Sequence, residues 1–177
     1  MVRYAGYAER APGPVRFREL PCTHVPVIID LDAGWSIGDA RRPERPPERL
    51  ASFIAGLADG PVLVGHAGSA RCVQVDLAPM AARRLLGVPM SELANRSVAL
   101  EDVLGPAAAE LVEQVAGAPG WDERFALIDR VLAARLADAP AADAEVAWSL
   151  ARLEASGGAA AIGSLADELG WSHRRLI

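Results

Sequence analysis

Apolar and polar positions follow two different periods along the chain, and the change falls near residue 79. Before it, short β-branched runs are broken by Gly and Pro. In VRFREL (15–20), Val15 and Phe17 alternate with Arg16 and Arg18. VPVIIDLD (25–32) is a β-branched run, and LASFIAGL (50–57), VLVGHA (62–67) and ARCVQVDLA (70–78) follow it. In the last of these, Cys72, Gln74 and Asp76 alternate with Val73, Val75 and Leu77, the signature of a half-buried strand. Ala67-Gly68-Ser69, between the last two runs, predicts a hairpin turn. The stretch DARRPERPPER (39–49) predicts an exposed loop, because proline denies hydrogen bonds to a strand ladder.

After Pro79 the spacing becomes helical. A first short helix starts on Pro79 and ends on Gly87. Leu104, Ala108, Leu111, Val112 and Val115 form one apolar stripe ahead of Gly117 and Pro119. Asp122 is placed to cap a longer helix whose stripe is Phe125, Ile128, Val131, Leu132 and Leu136. A further helix over roughly 141–155 carries Val146, Leu150 and Leu153 on one face. Trp148 stands nearly opposite, beside Ala144, Ala151 and Ala155. Such a helix has two apolar faces: both are internal core, or one makes a dimer contact. Ser156-Gly157-Gly158 then breaks the helix as a cap or hinge.

The densest pattern is the terminal IGSLADELGWSHRRLI. Ser164 with Asp167 three residues on predicts a helix N-cap. Leu165, Ala166 and Leu169 give that helix an apolar face, and Gly170 supplies a tight turn. Ser172 is placed to cap a second helix that opens with His173, Arg174 and Arg175 and points Leu176 inward. Small Ala166, turning Gly170 and inward Leu176 together specify a helix-turn-helix. The start of its second helix is where such motifs reach bases and phosphates, and arginine pairs bidentately with guanine or phosphate. Ser172, His173, Arg174 and Arg175 are therefore the candidate DNA contacts. The bland alternative is a helical hairpin with a polar tip.

Composition narrows the field. The chain has 177 residues, a net charge of −5, 51% apolar and 23% charged residues. A sizeable core is possible, and extensive disorder is excluded. The acidic balance excludes a wholly basic nucleic-acid binder but leaves room for a small DNA-reading element. No apolar run reaches the roughly 18 residues of a membrane helix. The start MVRYAGYAERAPGP has no apolar signal core, and a cytoplasmic protein is expected. Cys22 and Cys72 form no CxxC pair, and free thiols are expected.

Little in the sequence points to catalysis. His24, His66 and His173 are the only histidines, with no HxH pair for a metal. Cys22 and His24, two apart on one strand, carry no activating geometry by themselves. GxSxG, P-loop and GxGxxG motifs are absent. No catalytic residue, metal or cofactor is expected. If the strands enclose an effector pocket, His24, Trp35, His66, Arg71 and Gln74 are the polar and aromatic candidates to line it. Taken singly, each reads more readily as core or surface than as a pocket residue, because facing is uncertain by one residue.

Two segments carry a family resemblance. SLADELGWSHRRLI resembles the start of the first of two helix-turn-helix units in AraC-type bacterial transcription regulators. VDLAPMAARRLLGVPMSELANRSVALEDVLG resembles a segment that recurs in regulators of that type. The resemblance implies an α+β chain: a small N-terminal antiparallel β-barrel or cupin-like sheet, a helical bundle, and a truncated helix-turn-helix. It implies three regions. Residues 1–138 would form the β-rich effector-binding and dimerisation domain with its C-terminal helices. Residues 139–158 would be a linker helix and Gly-Gly hinge, and residues 159–177 the opening of the DNA-binding head. Arg174 would fall where the first recognition helix contacts bases, with His173 and Arg175 as phosphate contacts. The implied partners are DNA, a small-molecule effector and a second copy of the chain. The rival expectation is a stand-alone cupin-like protein that binds or transforms a small molecule.

Overall fold

The structure, a computed structural model, describes residues 2–176. It is α+β, with two antiparallel sheets and eight helices among the described residues. The chain divides into two compact units, Met1–Ala139 and Pro140–Ile177. The helix expected as a linker therefore belongs to the second unit.

Among the described residues, the first unit opens with eight strands and carries five helices, with a ninth strand between the second and third helix. The strands are β1 (Val2–Arg10), β2 (Val15–Glu19), β3 (Val25–Asp30), β4 (Trp35–Asp39), β5 (Glu48–Leu50), β6 (Phe53–Ala55), β7 (Val62–His66), β8 (Ser69–Leu77) and β9 (Ser97–Ala99). The helices are α1 (Pro79–Leu86), α2 (Met90–Leu93), α3 (Leu100–Leu104), α4 (Pro106–Gly117) and α5 (Trp121–Asp138). One sheet runs β1-β8-β3-β6-β9 and the other β2-β7-β4-β5.

The five-stranded sheet is buried on both faces, which explains the unbroken apolar run of β3. Val25, Val27, Ile29, Val73, Val75 and Leu77 share one core with Leu85, Leu100, Leu111, Val115 and Ile128 of the helices. The opposite face contributes Ile28, Phe53 and Cys72 to a second core with Trp35, Ile37 and Leu50 of the four-stranded sheet. Period-two alternation along β8 thus sends Val73, Val75 and Leu77 to one interior and Ala70 and Cys72 to the other.

The helical layer is fixed by polar anchors as well as by its stripe. Arg124, buried at the start of α5, donates from Nε to the Val115 carbonyl at 3.0 Å and from Nη2 to the Ala118 carbonyl at 2.8 Å. These bonds satisfy carbonyls at the end of α4 that have no partner within the helix. At the other end of α5, Arg135 donates to the Leu85 carbonyl at 3.1 Å, and Arg84 to the Leu136 carbonyl at 3.3 Å. The first turn of α5 also lies against β1. A Cβ on Gly6 would stand 2.6 Å from the Trp121 ring, so only glycine permits that approach.

Four local expectations are corrected. Ala67-Gly68-Ser69 does not close a hairpin: β7 pairs with β2 and β4, and β8 pairs with β1 and β3. Gly68 carries the chain from one sheet to the other, and its carbonyl accepts from Ala11 N at 2.7 Å. LASFIAGL is not one strand. The chain switches sheets at Ala51-Ser52, between β5 and β6, and the Ser52 hydroxyl accepts from the Asp30 amide at 2.9 Å. The proline-rich segment is exposed, but it ends in the edge strand β5. Asp122 is not a cap: Gly120 holds that position, and Asp122 sits in the first turn, where the helix dipole favours an acid.

The second unit holds α6 (Ala144–Ala155), α7 (Ile162–Leu169) and α8 (His173–Leu176). Asp143 caps α6 by accepting from Val146 N at 3.0 Å. Gly157 and Gly158 close α6 with two left-handed residues, whose amides bond to Glu154 and Leu153 carbonyls at 3.0 and 2.8 Å. Ser164 is not a cap either. The cap position of α7 is Ala161, and Ile162 and Gly163 extend the helix ahead of the serine.

Candidate functional site

A cavity of about 760 Å³ lies between the two sheets of the first unit, within the usual size range for small-molecule sites. Each sheet supplies its inward alternation. Cys72 and Gln74 of β8, Ile28 of β3 and Phe53 of β6 line one wall. Phe17 of β2, Trp35 and Ile37 of β4 and Val64 of β7 line the other. The register explains the clustering: Phe17 and Ile37 both pair with Val64, and Ile28 pairs with Gln74 and Phe53. Apolar walls with a few placed polar groups are the usual chemistry of such a site.

The polar groups form two clusters. In the first, Asp76 Oδ2 accepts from Arg3 Nε at 3.0 Å and Nη2 at 2.6 Å. Its Oδ1 accepts from Gln74 Nε2 at 2.8 Å and lies 3.3 Å from His24 Nε2. The carboxylate side chain is only 7% exposed, so this compensation is required where water is scarce. Arg3, His24 and Gln74 reach the cavity, and Asp76 holds them there. In the second cluster, Arg41 Nη2 lies 3.0 Å from Asp59 Oδ1 and donates to the Asp59 carbonyl at 2.9 Å. Asn95 Oδ1 accepts from Asp59 N at 3.0 Å.

Trp35 is held from behind. Its Nε1 donates to Asp30 Oδ1 at 3.0 Å, while Asp30 Oδ2 accepts from Gly34 N at 3.0 Å. Burial raises the Asp30 carboxyl above its ordinary value, and these donors oppose that rise. The His66 ring meets Trp35 edge-on, with centroids 5.6 Å apart. Its Nδ1 accepts from Gly68 N at 3.3 Å, so Nε2 carries the proton and donates to Glu9 Oε2 at 3.2 Å. Tyr7, another cavity residue, donates its hydroxyl to the same Glu9 oxygen.

Of the five residues proposed from sequence, His24, Trp35 and Gln74 line this cavity; His66 and Arg71 do not. His66 is buried behind Trp35 and supports it. Arg71 is exposed on the face of Val73 and Val75, where it donates to the Leu31 carbonyl at 3.3 Å. Sequence reasoning missed Arg3 and Tyr7, because β1 itself was not read as a strand. Its apolar signal is diluted by Ala5, Gly6 and Ala8.

The cavity offers no activated nucleophile. Burial, aided by the Asp30 charge, pushes the Cys72 thiol up to about 12, so it stays protonated at neutral pH. Cys22 is exposed and its thiol lies 3.3 Å from the His24 carbonyl oxygen, not the imidazole. Among the described residues, no group of three His, Cys, Asp or Glu is placed to hold a metal ion.

In the second unit, α7 ends at Gly170, whose φ of 64° is left-handed. Gly170 N donates to the Asp167 carbonyl at 3.1 Å and Trp171 N to the Ala166 carbonyl at 2.8 Å. This double closure turns the chain sharply into α8. Ser172 Oγ accepts from Arg175 N at 3.3 Å. His173 and Arg174 are exposed, and the Arg175 guanidinium lies 4.2 Å from the Trp171 ring centroid.

No known protein family matches the chain, nor does any curated protein. Among the described residues, no helix is long and apolar enough to cross a membrane.

Proposed function

We propose that this chain is the sensing and dimerising region of an AraC-type transcription regulator, carrying the opening of its DNA-reading head. The observation that carries the reading is the inter-sheet cavity of about 760 Å³, in a compact unit separate from the one bearing the basic turn. The double sheet that encloses it is compatible with a cupin-like sensor. In the other unit, Gly170 turns α7 into Ser172, His173, Arg174 and Arg175, as a helix-turn-helix requires. Ala144, Ala151 and Ala155 of α6 are exposed beside half-buried Trp148, a face suited to a second protomer. Ligand binding in the cavity would act by population shift, favouring one arrangement of paired heads over another. No enzymatic step or cofactor is assigned.

The test is to express the protein from its natural reading frame, size it, and enrich bound sequences from random duplex DNA. A dimer that selects a site, and loses it on Arg174→Ala, supports the reading. A monomer with no sequence selectivity overturns it. The cavity and the net charge of −5 favour one alternative, a stand-alone small-molecule binder. Thermal stabilisation by a ligand without any DNA selection would establish that instead.

A further inference from the structure

The charged groups around the cavity balance in number and are all exposed. Three arginines, Arg3, Arg41 and Arg96, meet three carboxylates, Glu19, Asp39 and Asp59, among the lining residues. Arg3 is committed to Asp76 through two hydrogen bonds, and Arg41 to Asp59. The buried part of the lining, Ile28, Trp35, Ile37, Phe53 and Cys72, holds no charged side chain, so an ion carried to that depth would go unpaired.

The walls favour flat rings. Of the chain's four Trp, two Tyr and three Phe, Trp35, Tyr7, Phe17 and Phe53 line the cavity. Two of these have no donor left to give. The Trp35 indole N–H is held by Asp30, and the Tyr7 hydroxyl is held by Glu9. They therefore offer ring faces and edges, which pair best with another aromatic system.

Among the uncharged polar side chains of the lining, which include His24, Asn95 and Ser97, Gln74 is the one whose amide is oriented by the buried Asp76 carboxylate. A carboxylate only accepts, so the Gln74 amide must turn its NH₂ to Asp76. That orientation leaves the amide oxygen as the acceptor Gln74 brings to the cavity. An acceptor fixed by a neighbouring carboxylate selects for a ligand that carries an N–H or O–H donor.

We infer that the cavity takes an uncharged aromatic molecule of two or more rings with one hydrogen-bond donor, of the phenol or indole type, anchored on Gln74. This rests on the reading of the cavity as an effector site and narrows its chemistry.

Three probes of matched size test it by calorimetry on the full chain at pH 7: 2-naphthol, 2-naphthoate and 2-methoxynaphthalene. The expected result is that 2-naphthol binds at least about tenfold more tightly than either of the others. Gln74→Leu should remove the preference of 2-naphthol over 2-methoxynaphthalene while binding of the latter persists. That persistence also reports that the variant is folded. Preferred binding of 2-naphthoate, or equal binding of 2-naphthol and 2-methoxynaphthalene to the wild type, overturns the ligand class and leaves the effector site standing. Absence of binding by all three at millimolar concentration overturns both.

Discussion

Single side chains here are tuned by burial and by their hydrogen-bond partners. Cys72 and Cys22 make the contrast plain. The first is buried with its thiol raised to about 12; the second is exposed. Native protein at pH 8 should therefore take up one equivalent of iodoacetamide, at Cys22, and the second only after unfolding. Peptide mass mapping reads this directly, and fast alkylation of Cys72 in the native state would contradict the assignment. The tyrosines give a pH dependence. Burial and a hydrogen bond to Asp129 raise Tyr4 to about 12, and a hydrogen bond to Glu9 raises Tyr7 to about 12. The unfolded value is about 10. The folded state thus holds both phenolic protons more tightly, so the tyrosine contribution to stability is complete below pH 10 and is lost as pH rises towards 12. Ultraviolet titration of tyrosinate should show no ionisation of native protein near pH 10, and urea midpoints should fall from about pH 9, where the raised Cys72 thiol begins the same loss, and further above pH 10.

Among the elements, legibility followed the strength of local pattern. The alternation in β8 was readable because Cys72, Gln74 and Asp76 contrast with three aliphatic neighbours. The helices α1, α4 and α5 were readable from their stripes and from Pro79 and Gly87. What failed was pairing. Ala67-Gly68-Ser69 has the chemistry of a hairpin turn, yet it joins strands of different sheets, because β7 and β8 each find longer-range partners. No local signal reports which sheet a strand will join. The site was half visible for the same reason: His66 and Trp35 both sit on inner strands, and only the register places one behind the other. Strand β1 was lost because close packing demanded a residue without a side chain at Gly6. Gly6→Val forces the Trp121 ring away from β1, and a cost of about 1–3 kcal/mol is expected from overpacking. Urea denaturation measures it, and Trp121→Leu in the same chain should recover part of the loss. At the other end of the chain, Gly170→Val places a β-branched residue at φ 64°. A penalty of about 1–2 kcal/mol is expected, read as faster amide exchange confined to residues 162–176.

Across the whole molecule, stability is distributed unevenly, and the distribution matches the proposed division of labour. The first unit has two apolar cores that share the five-stranded sheet. In the second, only Ser149, Leu165 and Ala166 are buried among its described residues. Units below roughly 40 residues seldom fold firmly without added constraint, and Pro140–Ile177 falls in that range. A sensing unit that must keep its cavity shape needs the rigid core. A head whose arrangement responds to that cavity belongs to the less stable part. The first residues of the second unit, 140–143, are exposed and outside any helix. Brief digestion with elastase, which cuts after small residues, should therefore cleave after Ala141 or Ala142 before any site in the strands. The resistant product should begin at the native N-terminus and end within that segment. It should keep the near-ultraviolet dichroism of Trp35 and melt close to the temperature of the main transition of the whole chain. In native-state exchange, amides of α7 should open well before those of β8, since only the latter are paired on both sides within a covered sheet. Simultaneous loss of both sets would mean that the two units unfold as one, and the head would then have no independent freedom for a ligand to bias.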